Sequence, residues 1–241
     1  MPAYTAAVNG SNGRGVIEST RRAPRGRTNA RGDATRELIL LTAERLFAER
    51  GIEAVPLRDI GVAAGQKNNV AVQYHFGDRE NLVKAIAAYR ARDLAEMNAD
   101  IIADAVSGGR TPTVEDMVRA FVLALAQNLD EESHFLPFVS RYIIERGGYA
   151  GLESAMPAGS IAPLESIMYR LLSDIPRDVH DERWQVLMTS AVHTLARYQV
   201  AMRLGDLPAP IDELIDDLVS FLTAGLQAPV ARPATGASRT R

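Results

Sequence analysis

The sequence predicts an all-α fold in which a small N-terminal domain is followed by a larger helical domain. Between residues 33 and 226, apolar side chains recur at the three- and four-residue spacing of amphipathic helices. No run of alternating apolar and polar residues is long enough to form a strand. Glycine, proline and short polar residues divide this pattern where helices usually begin and end.

The two ends of the chain lack this pattern. Residues 1–32 and 227–241 are rich in Gly, Ser, Arg and Ala, which predicts disorder. Up to residue 31, Glu18 is the only acid, whereas six residues are arginines. Such a basic arm, on a chain with a net charge of −3, is either a phosphate-binding extension or a solubilising tail. Charge alone does not decide between the two.

The composition narrows the chemistry and the location. The chain has no Cys, which excludes disulfides and thiolate metal sites. No two of its His residues are three or four positions apart, so we expect no metal site of that kind and no other cofactor. There is no apolar leader, and the apolar run from Ala120 to Ala126 is far shorter than a membrane span. These features predict a cytoplasmic protein without membrane contact.

The predicted N-terminal domain, residues 33–82, contains three helices. The first ends at Gly51 as its C-cap, and its apolar stripe consists of Leu38, Leu41, Ala43, Leu46 and Phe47. The second, residues 57–63, is stopped by Gly65, and the third covers residues 69–75. Gly77 and Asp78 then begin a long fourth helix, which ends near residue 107.

The larger domain, residues 83–226, continues with helical patterns only. Thr113 caps a helix whose first-turn acids suit the helix dipole. Further helices are predicted at residues 135–145, 161–172, 181–204 and 210–226. The last two carry broad apolar stripes, Trp184 to Tyr198 and Ile211 to Leu222. These stripes predict an isologous four-helix interface with a second copy of the chain.

Two short helices joined by a tight turn lie within residues 51–82, and this is the geometry of a helix-turn-helix. In the turn, Gly65 can adopt the left-handed conformation that ends one helix, and Asn68 can cap the next. The residues spaced to pack both helices on the first one are Ile60, Ala64, Val72 and Phe76. The side chains left exposed are Asn69, Val70, Gln73 and Tyr74. They suit base edges, thymine methyl groups and phosphates.

Three segments, in this order and spacing, resemble the DNA-binding region of the TetR family of bacterial transcription regulators. They are LFAERG, LRDIGVAAG and YHFGDRENL, and the resemblance spans Arg31 to Leu82. Three features depart from the family pattern. The turn is one residue longer, Pro56 stands where Ser or Thr usually caps, and Gly61 stands where Ala is usual. These departures bear on the base contacts and not on the fold.

The resemblance implies a DNA-contacting role for a set of residues in and around the second short helix. They are Arg58, Asn68, Asn69, Val70, Gln73, Tyr74, His75 and Arg79. Family members place recognition-helix residues in the major groove and hold a phosphate with a basic residue at the start of the next helix, here Arg79. Simpler interpretations stay open, because Arg58 and Asp59 can form a surface ion pair and His75 can fill a helix end.

The resemblance also implies an effector pocket among the middle helices. The candidate lining residues are Met97, Phe121, Phe138, Arg141, Tyr142, Met168, Met188, His193 and Arg197. Met and aromatic residues at helical spacing are more often ordinary core than ligand contacts. The Arg and His residues interrupt apolar faces, and a buried Arg needs an anionic partner, either a protein carboxylate or an acidic ligand.

Together these features predict a ligand-responsive repressor that leaves a palindromic operator when a small-molecule inducer binds. Its predicted partners are double-stranded DNA, the effector and a second copy of the chain. An enzyme is the main rival, but the sequence contains no Walker A, dinucleotide-binding or nucleophile-elbow motif. An architectural DNA-binding protein with a filled core is the third possibility, and a ligand-sized cavity would argue against it.

Overall fold

The computed structural model describes residues 25–68, 70–91, 111–130, 132–152 and 161–230. Every regular element in these residues is a helix, which confirms the all-α prediction. In chain order they are α1 (Arg25–Arg50), α2 (Leu57–Ala63), α3 (Ala71–Phe76), α4 (residues 79–91), α5 (Val114–Ala126), α6 (Phe135–Arg146), α7 (Ala162–Leu171), α8 (Arg177–Leu204) and α9 (Ile211–Gln227). Within these ranges, no helix is long and apolar enough to cross a membrane.

Several helix boundaries differ from the sequence prediction, and those of α3, α6 and α7 do so by one or two residues at an end. α1 begins at Arg25, inside the segment 1–32 that is predicted to be disordered. Arg and Ala are good helix formers and extend this helix in spite of two glycines. α8 begins at Arg177 rather than Asp181, because Pro176 fixes the backbone just ahead of its first turn. α9 includes Gln227. Residues 1–24 and 231–241, and the predicted end of the fourth helix, lie outside the described residues.

One apolar core runs through both domains. It contains the residues predicted to pack α2 and α3 on α1, namely Ile60, Ala64, Val72 and Phe76. The stripe on α1 is only partly as predicted, since Leu38 and Leu41 are exposed. Ile39 and Leu40 take the buried positions instead, so this helix is rotated slightly from the predicted orientation.

α1 and α6 lie side by side and run in the same direction. Glu44 of α1 meets the first residues of α6, and the rings of Phe47 and Phe138 stack at 6.3 Å between centroids. The residues that follow α1 then meet Glu145 in the last turn of α6. Because these pairs occur in the same order along both helices, the two domains share one continuous contact.

Glu44 is a buried carboxylate that joins three helices. Only 3% of its side chain is exposed, and its oxygens accept hydrogen bonds from the Arg90 guanidinium of α4 at 2.8 and 2.9 Å. One oxygen also accepts from the backbone N–H of His134, just before α6, at 3.1 Å. Burial by itself lowers the pKa of Arg90, but the hydrogen bond and the charge of Glu44 outweigh it and raise that pKa. Arg90 therefore stays charged beside its partner.

Glu145 stabilises the other end of the contact between α1 and α6. Its carboxylate accepts hydrogen bonds from the backbone N–H groups of Ile52 at 3.0 Å and Glu53 at 3.4 Å. Gly51 ends α1 with a φ of 95°, and a Cβ atom there would lie 2.6 Å from Oε1 of Glu145. Gly51 is therefore required by its backbone conformation and also by the close approach of this carboxylate.

α8 is the central helix of the larger domain and packs against α5, α6 and α9. The stripe predicted to form the dimer interface is buried within one chain; it consists of Trp184, Leu187, Met188, Ala191, Val192, Leu195 and Tyr198. In α9, Leu218, Val219 and Leu222 are buried in the same way. These residues are covered by intrachain packing, so the prediction that they form a dimer interface is wrong.

Glu44→Ala is expected to destabilise the protein far more than Glu49→Ala, the same change on the same helix. Removing Glu44 leaves Arg90 without its anion, and breaking a buried pair costs about 3–5 kcal/mol. We expect the low end, because 19% of the Arg90 side chain is exposed. Glu49 pairs with Arg45 on the surface, where such pairs contribute about 0.3–0.5 kcal/mol. Urea unfolding at one protein concentration measures both variants, and equal losses would contradict the role of Glu44.

Candidate nucleic-acid interface

α2 and α3 form a helix-turn-helix whose turn is held by local hydrogen bonds. The N–H of Gln66 donates to the Gly61 carbonyl at 2.9 Å, and Gly65 has a φ of 67°. The predicted left-handed Gly65 is therefore confirmed. The Asn68 side-chain oxygen accepts from the N–H of Val70 at 3.1 Å. Asn68 thus accepts from the N-cap residue Val70 and lies two positions before it, so the prediction that Asn68 itself caps this helix is wrong.

The two unusual residues of α2 fit the structure without strain. Pro56 occupies the N-cap position and makes no side-chain capping bond. A Cβ atom at Gly61 would lie 3.5 Å from Cγ2 of Val72, an ordinary van der Waals distance. The site would therefore accept Ala, and Gly61 is not needed for the close packing of α2 on α3.

One side of α3 is buried and the other faces outward. Val72 and Phe76 lie in the core, whereas Val70, Gln73 and Tyr74 are exposed. Val70 lies three positions before Gln73 and four before Tyr74, which places it beside both on the exposed side. Tyr74 is 84% exposed, so its ring and hydroxyl lie outside the core formed by the described residues.

The remaining predicted recognition residues differ in position. His75 is half-buried, and its ring meets the Tyr74 ring edge-on at 5.2 Å between centroids. His75 is therefore placed to support Tyr74 at the border of the exposed face. Asn69 lies outside the described residues.

Both predicted basic contacts are engaged within the chain. Arg58 pairs with Asp59 at 3.2 Å on the exposed surface, and an exposed pair is given up at little cost. Nη1 of Arg79 donates to the Ile52 carbonyl, and its Nε lies 3.9 Å from the Glu53 carboxylate. Arg79 thus ties the start of α4 to the loop after α1. A phosphate contact by Arg79 stays a prediction, and Arg58 is the more accessible of the two cations.

Most candidate effector residues are packed in the core. Those that are buried there are Phe121, Phe138, Tyr142, Met168 and Met188. The Phe121 ring packs on Trp184 at 5.8 Å between centroids, and the Tyr142 hydroxyl donates to the Ala150 carbonyl. Core packing accounts for their burial. Met97 lies outside the described residues.

The three polar effector candidates have partners within the protein. Arg141 is partly exposed and lies 3.9 Å from Glu145, and Arg197 is exposed with its guanidinium over the next tyrosine ring at 5.0 Å. His193 is half-buried, and its Nδ1 lies 2.6 Å from the Ser140 hydroxyl. Neither Arg is buried, so neither requires an anionic partner, and Arg141 lies near a carboxylate of the protein itself. A role of these three residues in effector binding stays a prediction.

Sequence reasoning missed the residues that orient the helix-turn-helix. Glu44 is an acid within an apolar stripe, and that irregularity is the signal that could have indicated its buried role. Its partners Arg90 and His134 lie 46 and 90 positions away, so no local spacing identifies them. Glu145 carries no signal of its own, since an acid near a helix end is ordinary.

The geometry now defines the class of the N-terminal domain. α2 and α3 are joined by a tight turn, packed on α1, and present one exposed face of the second short helix, which is the arrangement of a helix-turn-helix DNA-binding domain. Residues 39–86 match the model of the family described as bacterial regulatory proteins, tetR family. The N-terminal domain of this chain therefore belongs to the tetR family.

Two curated relatives share this domain. The chain is 43% identical over 63 residues to the HTH-type transcriptional repressor AcnR of Corynebacterium glutamicum, a match that covers 26% of this chain and 33% of AcnR. It is 41% identical over 66 residues to the HTH-type transcriptional repressor BepR of Brucella suis biovar 1, covering 27% of this chain and 31% of BepR. The matched segment thus spans about a third of the length of these relatives.

Solved structures extend the likeness to the whole fold. A linker-substituted mutant of HlyIIR has a TM-score of 0.52 at 17% identity, over 82% of this chain and 100% of that one. The fatty acid degradation regulator FadR of Bacillus halodurans has a TM-score of 0.50 at 13% identity, over 80% of this chain and 96% of that one. At such identities the likeness concerns the arrangement of helices only.

Tyr74→Ala and Arg79→Ala are expected to differ in their effect on stability. Tyr74 makes little contact within the chain, so its removal should change the free energy of unfolding by less than about 0.5 kcal/mol. Arg79→Ala should lower it by about 1.5 kcal/mol, the low end for hydrogen bonds to charged groups, because the side chain is 24% exposed. Urea unfolding checks both. An unchanged stability of Arg79→Ala would mean that Arg79 is free to contact phosphate.

Proposed function

We propose that the chain is a homodimeric transcriptional repressor that binds a near-palindromic DNA operator and releases it when a small-molecule effector binds. In this proposal the protein is a regulator and not an enzyme. The observation that carries it is the exposed face of α3, where Val70, Gln73 and Tyr74 project from a helix whose other side is fixed in the core. The names of AcnR and BepR as repressors support the direction of control.

Each exposed residue of α3 suits a chemical feature of the major groove. The Gln73 amide has the donor and acceptor that match adenine, and the methyl groups of Val70 suit the thymine methyl. The Tyr74 hydroxyl can donate to a phosphate oxygen. Arg58, in its weak surface pair with Asp59, adds a nearby cation for the DNA backbone.

Selection from a random duplex library is expected to yield an inverted repeat, because a two-fold dimer presents two identical reading helices. The centres of the half-sites should lie about 34–36 Å apart, one turn of the duplex. Gln73→Ala should then relax the preference at one position in each half-site, worth about 1–3 kcal/mol for a good bidentate contact. Thr194→Ala, far along the chain on α8, is the control and should select the same sequence. Recovery of no preferred sequence by the unaltered protein would refute the proposed function.

The dimer in this proposal forms through the outer face of α8 and the neighbouring part of α9. Six residues of α8, spaced alternately by four and three positions, share one face, which we call the α8 seam: Val186, Ser190, His193, Arg197, Val200 and Leu204. Val186, Val200 and Leu204 are large exposed apolar residues, and Phe221 of α9 is 71% exposed. This spacing is that of helices that pack side by side in bundles.

Val200→Glu combined with Phe221→Glu is expected to produce a folded monomer. Both side chains are exposed in the single chain, so the charges disturb only a surface that a second copy would cover. The same change at buried Leu195 or Leu218 should instead unfold the protein. Analytical ultracentrifugation and circular dichroism separate these results, and Val62→Glu on exposed α2 is a control that should stay dimeric. A dimer of unchanged stability in the double variant would place the interface elsewhere.

An architectural DNA-binding protein without an effector is the second candidate. The packing of Phe121, Phe138 and Met168 in a filled core favours it. A cleft of about 660 Å³ beside the end of α6 favours an effector, because ligand pockets usually measure about 300–1,000 Å³. The cleft, and not the core residues, is therefore the better place to look for a ligand.

A further inference from the structure

The end of α6 has two sides with different neighbours. Ile143 and the glycines 147 and 148 line the cleft, whose opposite wall is the first half of α8. Glu145 and Arg146, which lie between them in sequence, face the DNA-binding domain. A single turn of helix and the residues after it thus touch both the cleft and the helix-turn-helix.

The side facing the DNA-binding domain is held by charged and backbone contacts, which we call the α6 clasp. Glu145 accepts from the N–H groups of Ile52 and Glu53. Arg146 pairs with Glu53 at 2.6 Å and also with Glu80 of α4. With Glu44 fixing the other end of the α1–α6 contact, the DNA-binding domain is fastened to α6 and has to follow its movement.

The cleft itself has the chemistry of a binding site for a small molecule. It combines the apolar side chains of Ile143 and Val186 with the hydroxyl groups of Thr189 and Ser190. The Tyr149 hydroxyl at its wall is buried beside the Thr189 side chain; burial raises the pKa of this hydroxyl, and the contact with Thr189 lowers it by less. The two hydroxyl groups together give the cleft a polar point at which a ligand can form a hydrogen bond.

The charge of the cleft limits what it can bind. Among its lining residues in the described chain, Glu182 is the only side chain with a formal charge at neutral pH. Among the described residues no Arg, Lys or His lines the cleft, so an anion would find no counter-charge on this part of the chain. Val186 and Ser190 also belong to the α8 seam, so a second subunit would cover the mouth of the cleft and enclose a bound molecule.

We propose that this cleft is the effector site and that it takes a small organic cation with an apolar group. Occupancy weakens operator binding by moving the end of α6, and the α6 clasp transmits this movement to the DNA-binding domain. This inference rests on the proposed function and adds the site, the ligand class and the route. The coupling requires that the ligand prefer one position of α6 over the other.

The absence of Cys in the sequence allows a direct test. Thr189→Cys places one thiol in the cleft, and Thr194→Cys places a matched thiol on the same helix at a position that does not line it. After folding, each variant is treated with trimethylammonioethyl methanethiosulfonate, which attaches a small cation through a disulfide. Dithiothreitol removes the group again. Operator affinity is measured by fluorescence anisotropy with the selected duplex, before and after each step.

The cation at position 189 is expected to weaken operator binding about tenfold, within the usual range of allosteric coupling, and dithiothreitol should restore it. The same group at position 194 should change affinity less than about twofold. In a Glu145→Ala background, or Arg146→Ala if the first variant does not fold, the effect at position 189 should fall towards about twofold, because either change removes one of the two side chains of the clasp. Equal effects at both positions, or an effect at 189 that persists without Glu145, would overturn the route.

The ligand class is tested by the rates of modification at Thr189→Cys. The cationic reagent should react several-fold faster than sulfonatoethyl methanethiosulfonate, its anionic counterpart, relative to their rates at position 194. Glu182→Gln should remove this difference. Equal relative rates with Glu182 present would overturn the assignment of a cation. If unmodified Thr189→Cys binds the operator and the attached cation has no effect, only this inference fails; if the unaltered protein selects no operator, the proposed function fails.

Discussion

The position of the helix-turn-helix depends on the contact between α1 and α6. Its middle is apolar, with Phe47 stacked on Phe138, and such contacts attract without fixing a register. Its two ends are polar and demand one register. A shift of one turn would separate Glu44 from the His134 N–H and Glu145 from the N–H groups of Ile52 and Glu53. Because buried polar groups without partners are costly, the polar ends select one alignment of the two domains.

The reading helix α3 depends on that alignment in turn. It has only six residues, which is too short to be stable by itself in water. Val72 and Phe76 hold it to the core, and the Arg36 guanidinium of α1 lies over the Phe76 ring at 5.0 Å. Since one face makes all of this packing, Gln73 and Tyr74 on the opposite face are not needed to hold the helix in place. The residues on this face, which are proposed to contact DNA, can then vary without loss of the fold.

Local patterns were enough to predict most of the helices and the helix-turn-helix. Gly65 and Thr113 mark real helix ends, because turns and caps depend on a few adjacent residues. The α8 stripe from Trp184 was misassigned to a dimer, because an apolar pattern shows that a face is buried but not what covers it. The orienting role of Glu145 could not be predicted, since its backbone partner lies 93 positions away. The DNA-contacting roles of Gln73 and Arg79 stay predictions.

Glu44 and its hydrogen-bond donor His134 are far apart in the sequence, and this separation affects the order in which the structure forms during synthesis. A ribosome adds Glu44 of α1 early, but the His134 N–H that completes the site of Glu44 follows 90 residues later. At about 5–20 residues per second, that interval lasts roughly 5–18 s. During this time the face of α1 that will meet α6 is uncovered, and Glu44 lacks the hydrogen bond from the His134 N–H. The helix-turn-helix therefore reaches its final position only after more than half of this sequence has been synthesised.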